Sequence, residues 1–172
     1  MKTGRPSVKH TVSGAVNPLV IPLGRCTMNA DDRQAILDLI SSYSYAYDAN
    51  DLERFGGLFE ANAVATFRQG NLTGNAQIRE AMAARRQWVA QQGIQPRHYQ
   101  TNTMLAEIAE GHIKGRTMIL VTWQRSGEPE PRVVHTGSYD DEFRKTAEGW
   151  RFSKRAILID HMNLSETLPN KV

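Results

Sequence analysis

Two residues in this chain have the types and the settings needed for proton transfer. Asp48 extends a mostly apolar helical stripe made of Leu37, Ile40 and Ser44. A carboxylate on such a stripe is costly unless something pairs with it. The segment after it already has Asn50 as a helix cap, followed three residues later by Glu53, so Asp48 is not needed for that task. His98 opens a long extended segment, where Gln100, Asn102 and Met104 alternate onto its face. A polar row running into an apolar one suits the wall of a pocket, wet at the mouth and dry at the floor. An imidazole whose second nitrogen is held by a carboxylate has a set tautomer and raised basicity. That is the equipment of a general base, which contributes about 10²–10⁴-fold in rate. Taken singly, each residue has a plainer reading: Asp48 as a solvated acid at a frayed helix end, His98 as a surface residue on a sheet edge.

The remaining histidines carry weaker signals. His135 alternates with Gly137, Tyr139 and Asp141, a row that either lines a pocket or pairs across strands at the surface. His112 sits beside a turn, where solvation explains it. His161-Met162-Asn163 lies past the last expected strand, either closing the pocket or belonging to a tail. The five histidines show no metal-ligand spacing with an acid partner, so no zinc site is expected. No Gly-x-Gly-x-x-Gly opens a helix, so no nucleotide cofactor is expected either. Cys26 has no nearby base and no second cysteine to pair with.

The elements that must hold these residues follow from periodicity. Asp31-Asp32-Arg33-Gln34 begins a helix that runs to about Ala49, with Ile36, Leu39, Ile40, Tyr43 and Tyr47 at helical spacing. A short second helix reaches Phe59. Val64 to Phe67 reads as a strand and Arg68 to Asn71 as a turn. A third helix covers Asn75 to Gln91, carrying Ile78, Met82 and Val89. Long strands are expected near Arg97–Ile108, His112–Trp123, Arg132–Arg144 and Trp150–Ile159. Helices followed by an antiparallel meander make an α+β domain, with three N-terminal helices covering one face of a curved sheet.

Composition narrows the function classes. The chain has 172 residues, 40% hydrophobic and 23% charged, with a net charge of +3, which suits one globular domain. Lys and Arg are dispersed apart from pairs such as Arg85-Arg86, so no nucleic-acid surface is expected. No run approaches the roughly 20 apolar residues that span a bilayer, so no membrane partner is expected and the cytoplasm is the expected location. Residues 1–28 read as a flexible extension, 29–162 as the domain and 163–172 as a tail. Thr101, Thr103 and Leu105 on one face, and Ile119, Val121 and Trp123 on another, exceed what three helices cover. A homotrimer or homodimer joined through the outer sheet is therefore expected.

Several segments together resemble the SnoaL-like branch of the nuclear transport factor 2-like superfamily. They are Ile36 to Ile40, Tyr47-Asp48-Ala49-Asn50-Asp51, Leu58-Phe59, Gly74, Arg97 to Asn102, and Gly149 to Arg155. The resemblance covers about residues 30–160 and is nearest to lyases of the scytalone dehydratase and lindane dehydrochlorinase kind. It implies a cone-shaped α+β fold enclosing a pocket, and elimination of water or HCl without metal or organic cofactor. It also implies an Asp–His dyad, which falls on Asp48 and His98. Arg155 matches the dehydrochlorinase arginine of the last strand. The dehydrochlorinase helix lysine falls on Tyr43, which brings no fixed positive charge, so chloride does not fit as leaving group. Tyr43 or Tyr47 fits the tyrosines with which scytalone dehydratase holds a water or carbonyl, and Asn102 and His135 complete the expected substrate wall. The activity implied is a cofactor-independent lyase or isomerase acting on a small hydrophobic organic molecule. Two alternatives stand beside it: a non-catalytic binding or oligomerisation module of this fold, and the small subunit of a ring-hydroxylating dioxygenase.

Overall fold

Asn29 starts the first helix. Its side chain accepts the Asp32 backbone N–H at 2.7 Å, satisfying one of the donors that a helix start leaves free. The computed structural model describes residues 28–67 and 70–162, so the expected extension and tail lie outside the described residues except for Met28. Helix α1, Ala30–Asp48, buries Ile36, Leu39, Ile40, Tyr43 and Tyr47, and Ser44 and Asp48 with them. The short helix α2, Leu52–Gly57, is capped by Asp51, whose Oδ1 accepts the Arg54 N–H at 3.1 Å. The cap is thus one residue beyond the expected Asn50. Asn50 instead turns the chain at a φ of 62°, a left-handed conformation that Asn tolerates better than most residues.

Strand β1, Phe59–Phe67, is longer than expected, and strand β2, Gly70–Thr73, forms where part of a turn was expected. The two pair antiparallel. Helix α3, Asn75–Gln91, follows them, so only two of the three helices precede the sheet. Strands β3, Ile94–Ala109, β4, His112–Arg125, β5, Arg132–Thr146, and β6, Gly149–Met162, make the expected antiparallel meander. β6 takes in His161, which was expected to lie beyond it. The six strands lie in the order β2-β1-β6-β5-β4-β3, and β1 runs parallel to β6, which makes the sheet mixed.

The sheet is curved and unclosed. Register breaks between Thr101 and Met104, Val121 and Thr122, and Thr136 and Gly137 supply local bends. At the last of these, only glycine fits: a Cβ on Gly137 would run into the Leu158 carbonyl oxygen of β6. Register sets the two faces. Thr117, Ile119, Val121 and Trp123 turn toward the helices with Tyr139, Asp141, Phe143 and Arg155, and all are buried. Ile119, Val121 and Trp123, expected at an outer contact surface, are therefore core. The opposite face shows Tyr99, Met104, Ile108, Met118 and Val133, each about half exposed.

Candidate active site

Asp48 is the last residue of α1, and His98 lies near the start of β3, opposite Val121 on the inner face. The helix end and the strand meet there, and Gln95 ties them by donating to the Asp48 carbonyl at 3.2 Å. The Asp48 carboxylate, only 8% exposed, holds His98 at two points. Oδ1 is 2.6 Å from the imidazole Nδ1, and Oδ2 accepts the His98 backbone N–H at 2.9 Å. An ionised carboxylate only accepts, so Nδ1 carries the ring proton and Nε2 is left as the basic nitrogen. The Tyr47 ring stands edge-on to the imidazole, centroids 5.1 Å apart.

These residues wall a small cavity beneath α3. Tyr47, His98 and His135 line it with Arg85, Val121 and Trp123. Its volume is about 10 Å³, room for about one water molecule. His135 reaches it because β5 pairs His135 with Val121 on the inner face. Burial, aided by the neighbouring His98 and Arg85, pulls the His135 imidazolium down to about 4. His135 is therefore neutral at physiological pH, able to donate or accept a hydrogen bond. Burial pushes the Tyr47 phenol up, against the pull of the Arg85 charge, so it stays protonated.

Three of the expected site residues lie elsewhere. Arg155 is fully buried and bonded to Asp141 through Nε and Nη2, both at 2.8 Å. Its guanidinium packs 4.0 Å from the ring centroids of Tyr43 and Tyr139 and 4.2 Å from that of Phe152. Burial works against this charge, but the Asp141 carboxylate outweighs it and holds Arg155 above its ordinary range. Tyr43 belongs to the same cluster, with its ring 4.8 Å from Phe55 and not against His98. Gln100 joins the cluster to α1: it accepts from Arg155 at 3.2 Å and donates to the Ile40 carbonyl and the Ser44 hydroxyl, each at 2.7 Å. Asn102 is exposed. It sits at the β3 bulge with a φ of 53° and donates to the Met118 sulfur at 3.4 Å. The bulge ends the alternation that would have put Asn102 on the face of His98.

One arginine at the cavity and its buried neighbour were not singled out from the sequence. Arg85 lines it, and Arg86, only 6% exposed, lies with its guanidinium 5.4 Å from the centroid of the Tyr47 ring. A signal was available. Arg86 follows Met82 by four residues and precedes Val89 by three, so it belongs to the apolar stripe of α3. Among the described residues, no group of three or more His, Cys, Asp or Glu is arranged to hold a metal ion.

Residues 28–156 match the family model of the SnoaL-like domain. The chain belongs to that family. As a SnoaL-like protein it shares its fold with many solved structures. One is Aln2 from a Streptomyces species, with a TM-score of 0.70 at 21% identity, over 77% of this chain and 94% of that one. A second is a scytalone dehydratase candidate from Novosphingobium aromaticivorans, with a TM-score of 0.67 at 19% identity, over 77% and 87% of the two chains. A third is the beta subunit of a candidate aromatic-ring-hydroxylating dioxygenase from the same organism, with a TM-score of 0.63 at 17% identity, over 76% and 90%. At these identities the likeness is one of fold. None of the curated proteins matches the chain. No helix among the described residues is long and apolar enough to cross a membrane.

Proposed function

We propose that this SnoaL-like protein is a cofactor-independent lyase, dehydratase-like, or an isomerase, acting on a small hydrophobic organic molecule with His98 as general base. The observation that carries the reading is the two-point grip of Asp48 on His98. In an elimination, Nε2 takes the proton alpha to a carbonyl, and the C–H pair becomes the double bond. The β-hydroxyl leaves and receives the proton that His98 holds, so water is released and the base is restored. The imidazolium formed on the way is favoured by the adjacent carboxylate and by the negative end of α1. Tyr47 and neutral His135 border the cavity and can donate to the oxygen on which charge develops. The cavity is nearly filled without a ligand, so a substrate larger than a water molecule requires side chains to move aside; partly exposed Arg85 is one of those that line it.

The same small volume favours a second reading, a binding or oligomerisation module without catalysis. A role as dioxygenase small subunit stays with that reading. The half-exposed Tyr99, Met104, Ile108 and Met118 support a homodimer or homotrimer joined through the outer sheet, which light scattering at micromolar concentration tests. For catalysis, His98→Ala and the wild type are compared on β-hydroxy carbonyl compounds and their dehydrated products. Turnover by the wild type alone supports the lyase. Equal turnover removes His98 from the mechanism, and no turnover by either protein supports the binding module.

A further inference from the structure

Long charged side chains gather on the outer face of the sheet, away from His98. Register sets them in rows. Arg116, Asp140, Ala156 and Thr66 lie side by side on β4, β5, β6 and β1. Lys114, Glu142, Lys154 and Val64 form the next row. The short side chains Ala156, Val64 and Thr66, set beside longer ones, leave a trough across these strands. Its volume is about 240 Å³, and Lys114, Glu142 and Lys154 line it with those three. A closed cavity of about 150 Å³ accepts benzene, so a small organic molecule fits in this trough without rearrangement.

The acids on its wall are already matched. Asp140 takes two bonds from Arg116, at 2.5 and 2.6 Å. Asp141, which also borders the trough, is spent on Arg155. Glu142 Oε2 lies 3.0 Å from His112 Nε2, and its Oε1 accepts from Lys154 at 3.3 Å. Burial works against the Glu142 charge, but the bonds to His112 and Lys154 outweigh it and hold the carboxyl below its ordinary range. Lys114 is the surplus. Its Nζ stands 3.8 Å from the same Oε1, near enough for an ion pair and too far for a hydrogen bond. An ammonium has three donors, and both lysine side chains are partly exposed, at 42% and 61%. Both converge on one oxygen, so one bound oxyanion can lie against both. One row further on, Arg144 lies directly opposite Arg151. A row is about 7 Å along a strand, inside the Debye length of about 8 Å at physiological salt. The two arginines therefore add to the positive field of the trough. Like charges placed opposite each other destabilise a sheet, and a bound anion relieves that repulsion.

We propose that this trough binds a small organic dianion, a dicarboxylate or a phosphate ester, with its charged group held between Lys114 and Lys154. The ammonium groups supply charge-assisted hydrogen bonds, and the body of the ligand lies over Ala156 and Val64. The surplus charge of Lys114, reinforced by Arg144 and Arg151, favours two negative charges over one. The site is separate from the His98 cavity and does not rest on the lyase reading.

The test titrates phthalate, phenyl phosphate and the uncharged phthalamide into the full chain at neutral pH and about 150 mM salt, followed by amide ¹H–¹⁵N spectra. At least one dianion should shift the amides of Thr66, Gly115 and Ala156, which line the trough. It should bind at least about tenfold more tightly than phthalamide. The Lys114→Gln, Lys154→Gln double variant should lose at least about tenfold in affinity for that dianion. It should keep the wild-type fold, because partly exposed ion pairs contribute little stability. If the double variant unfolds, Lys154→Gln alone should lose about threefold or more. Arg33→Gln removes an equal charge from the exposed start of α1 and should bind like the wild type. Shifts confined to residues around His98 and His135 overturn the proposal, as does the absence of shifts with both dianions. So does equal affinity for dianion and phthalamide, binding that survives in the lysine variants, or an equal loss in Arg33→Gln.

Discussion

Asp48 binds His98 through both of its oxygens, one on the ring Nδ1 at 2.6 Å and the other on the backbone N–H at 2.9 Å. The second bond matters as much as the first. It anchors the carboxylate to the strand that carries the histidine, so the ring is held to its own backbone through Asp48. Asp48→Asn can keep one of these bonds but cannot accept with both atoms. We expect it to lower kcat to an extent comparable with His98→Ala, and to lower stability by about 1–3 kcal/mol from the unsatisfied buried donor. Steady-state kinetics and urea unfolding of the two variants check this.

Tyr43 and Tyr47 should separate in their effects. Tyr43 packs in the Arg155 cluster, whereas Tyr47 faces His98 and lines the cavity. Tyr43→Phe should therefore cost about 1 kcal/mol of stability, one buried hydrogen bond, with little change in KM. Tyr47→Phe should change the kinetic constants. A larger kinetic effect from Tyr43→Phe would contradict this placement.

The Arg155–Asp141 pair should be a liability if split. Both side chains are fully buried. Asp141→Asn leaves the Arg155 charge without its counter-ion and should destabilise by about 3–5 kcal/mol. Chemical denaturation reads the effect directly. A loss below about 1 kcal/mol would show that the pair is solvated in solution.

His135 should make the fold acid-sensitive. Its folded value of about 4 lies below the ordinary 6.5, so between those two pH values the unfolded chain binds the extra proton. Stability from this group is complete above about 6.5 and falls as pH drops toward 4. The loss is about 3 kcal/mol at 1.36 kcal/mol per unit. His135→Gln cannot titrate. The difference in unfolding free energy between it and the wild type should change across that window and stay flat above pH 7. A constant difference from pH 7 to 4 would rule the effect out.

Much of this protein is legible in its sequence because local physics dominates there. The stripe Ile36, Leu39, Ile40, Tyr43, Tyr47 faces the core, so the helix and its buried face are set by a 3.6-residue period. Gly111 and Gly149, both at positive φ, mark turns between strands, and the meander from β3 to β6 follows from them. Asp48 and His98 were visible as a carboxylate ending an apolar stripe and a histidine opening a strand, but their contact joins residues fifty positions apart. Only tertiary structure decides such a contact.

Tertiary structure also decided the fates of Asn102, Arg155 and Arg86. A single bulge in β3 turned Asn102 outward, because a one-residue change in register reverses the face of a side chain. Arg155 was diverted to Asp141 because β5 and β6 pair the two residues directly, and a carboxylate one strand away outcompetes a distant pocket for a buried guanidinium. Arg86 stood in plain view on the stripe of α3, but nothing local says whether an arginine there reaches solvent or turns inward. The packing of α3 against the sheet settled that, since it left the side chain 6% exposed above Tyr47.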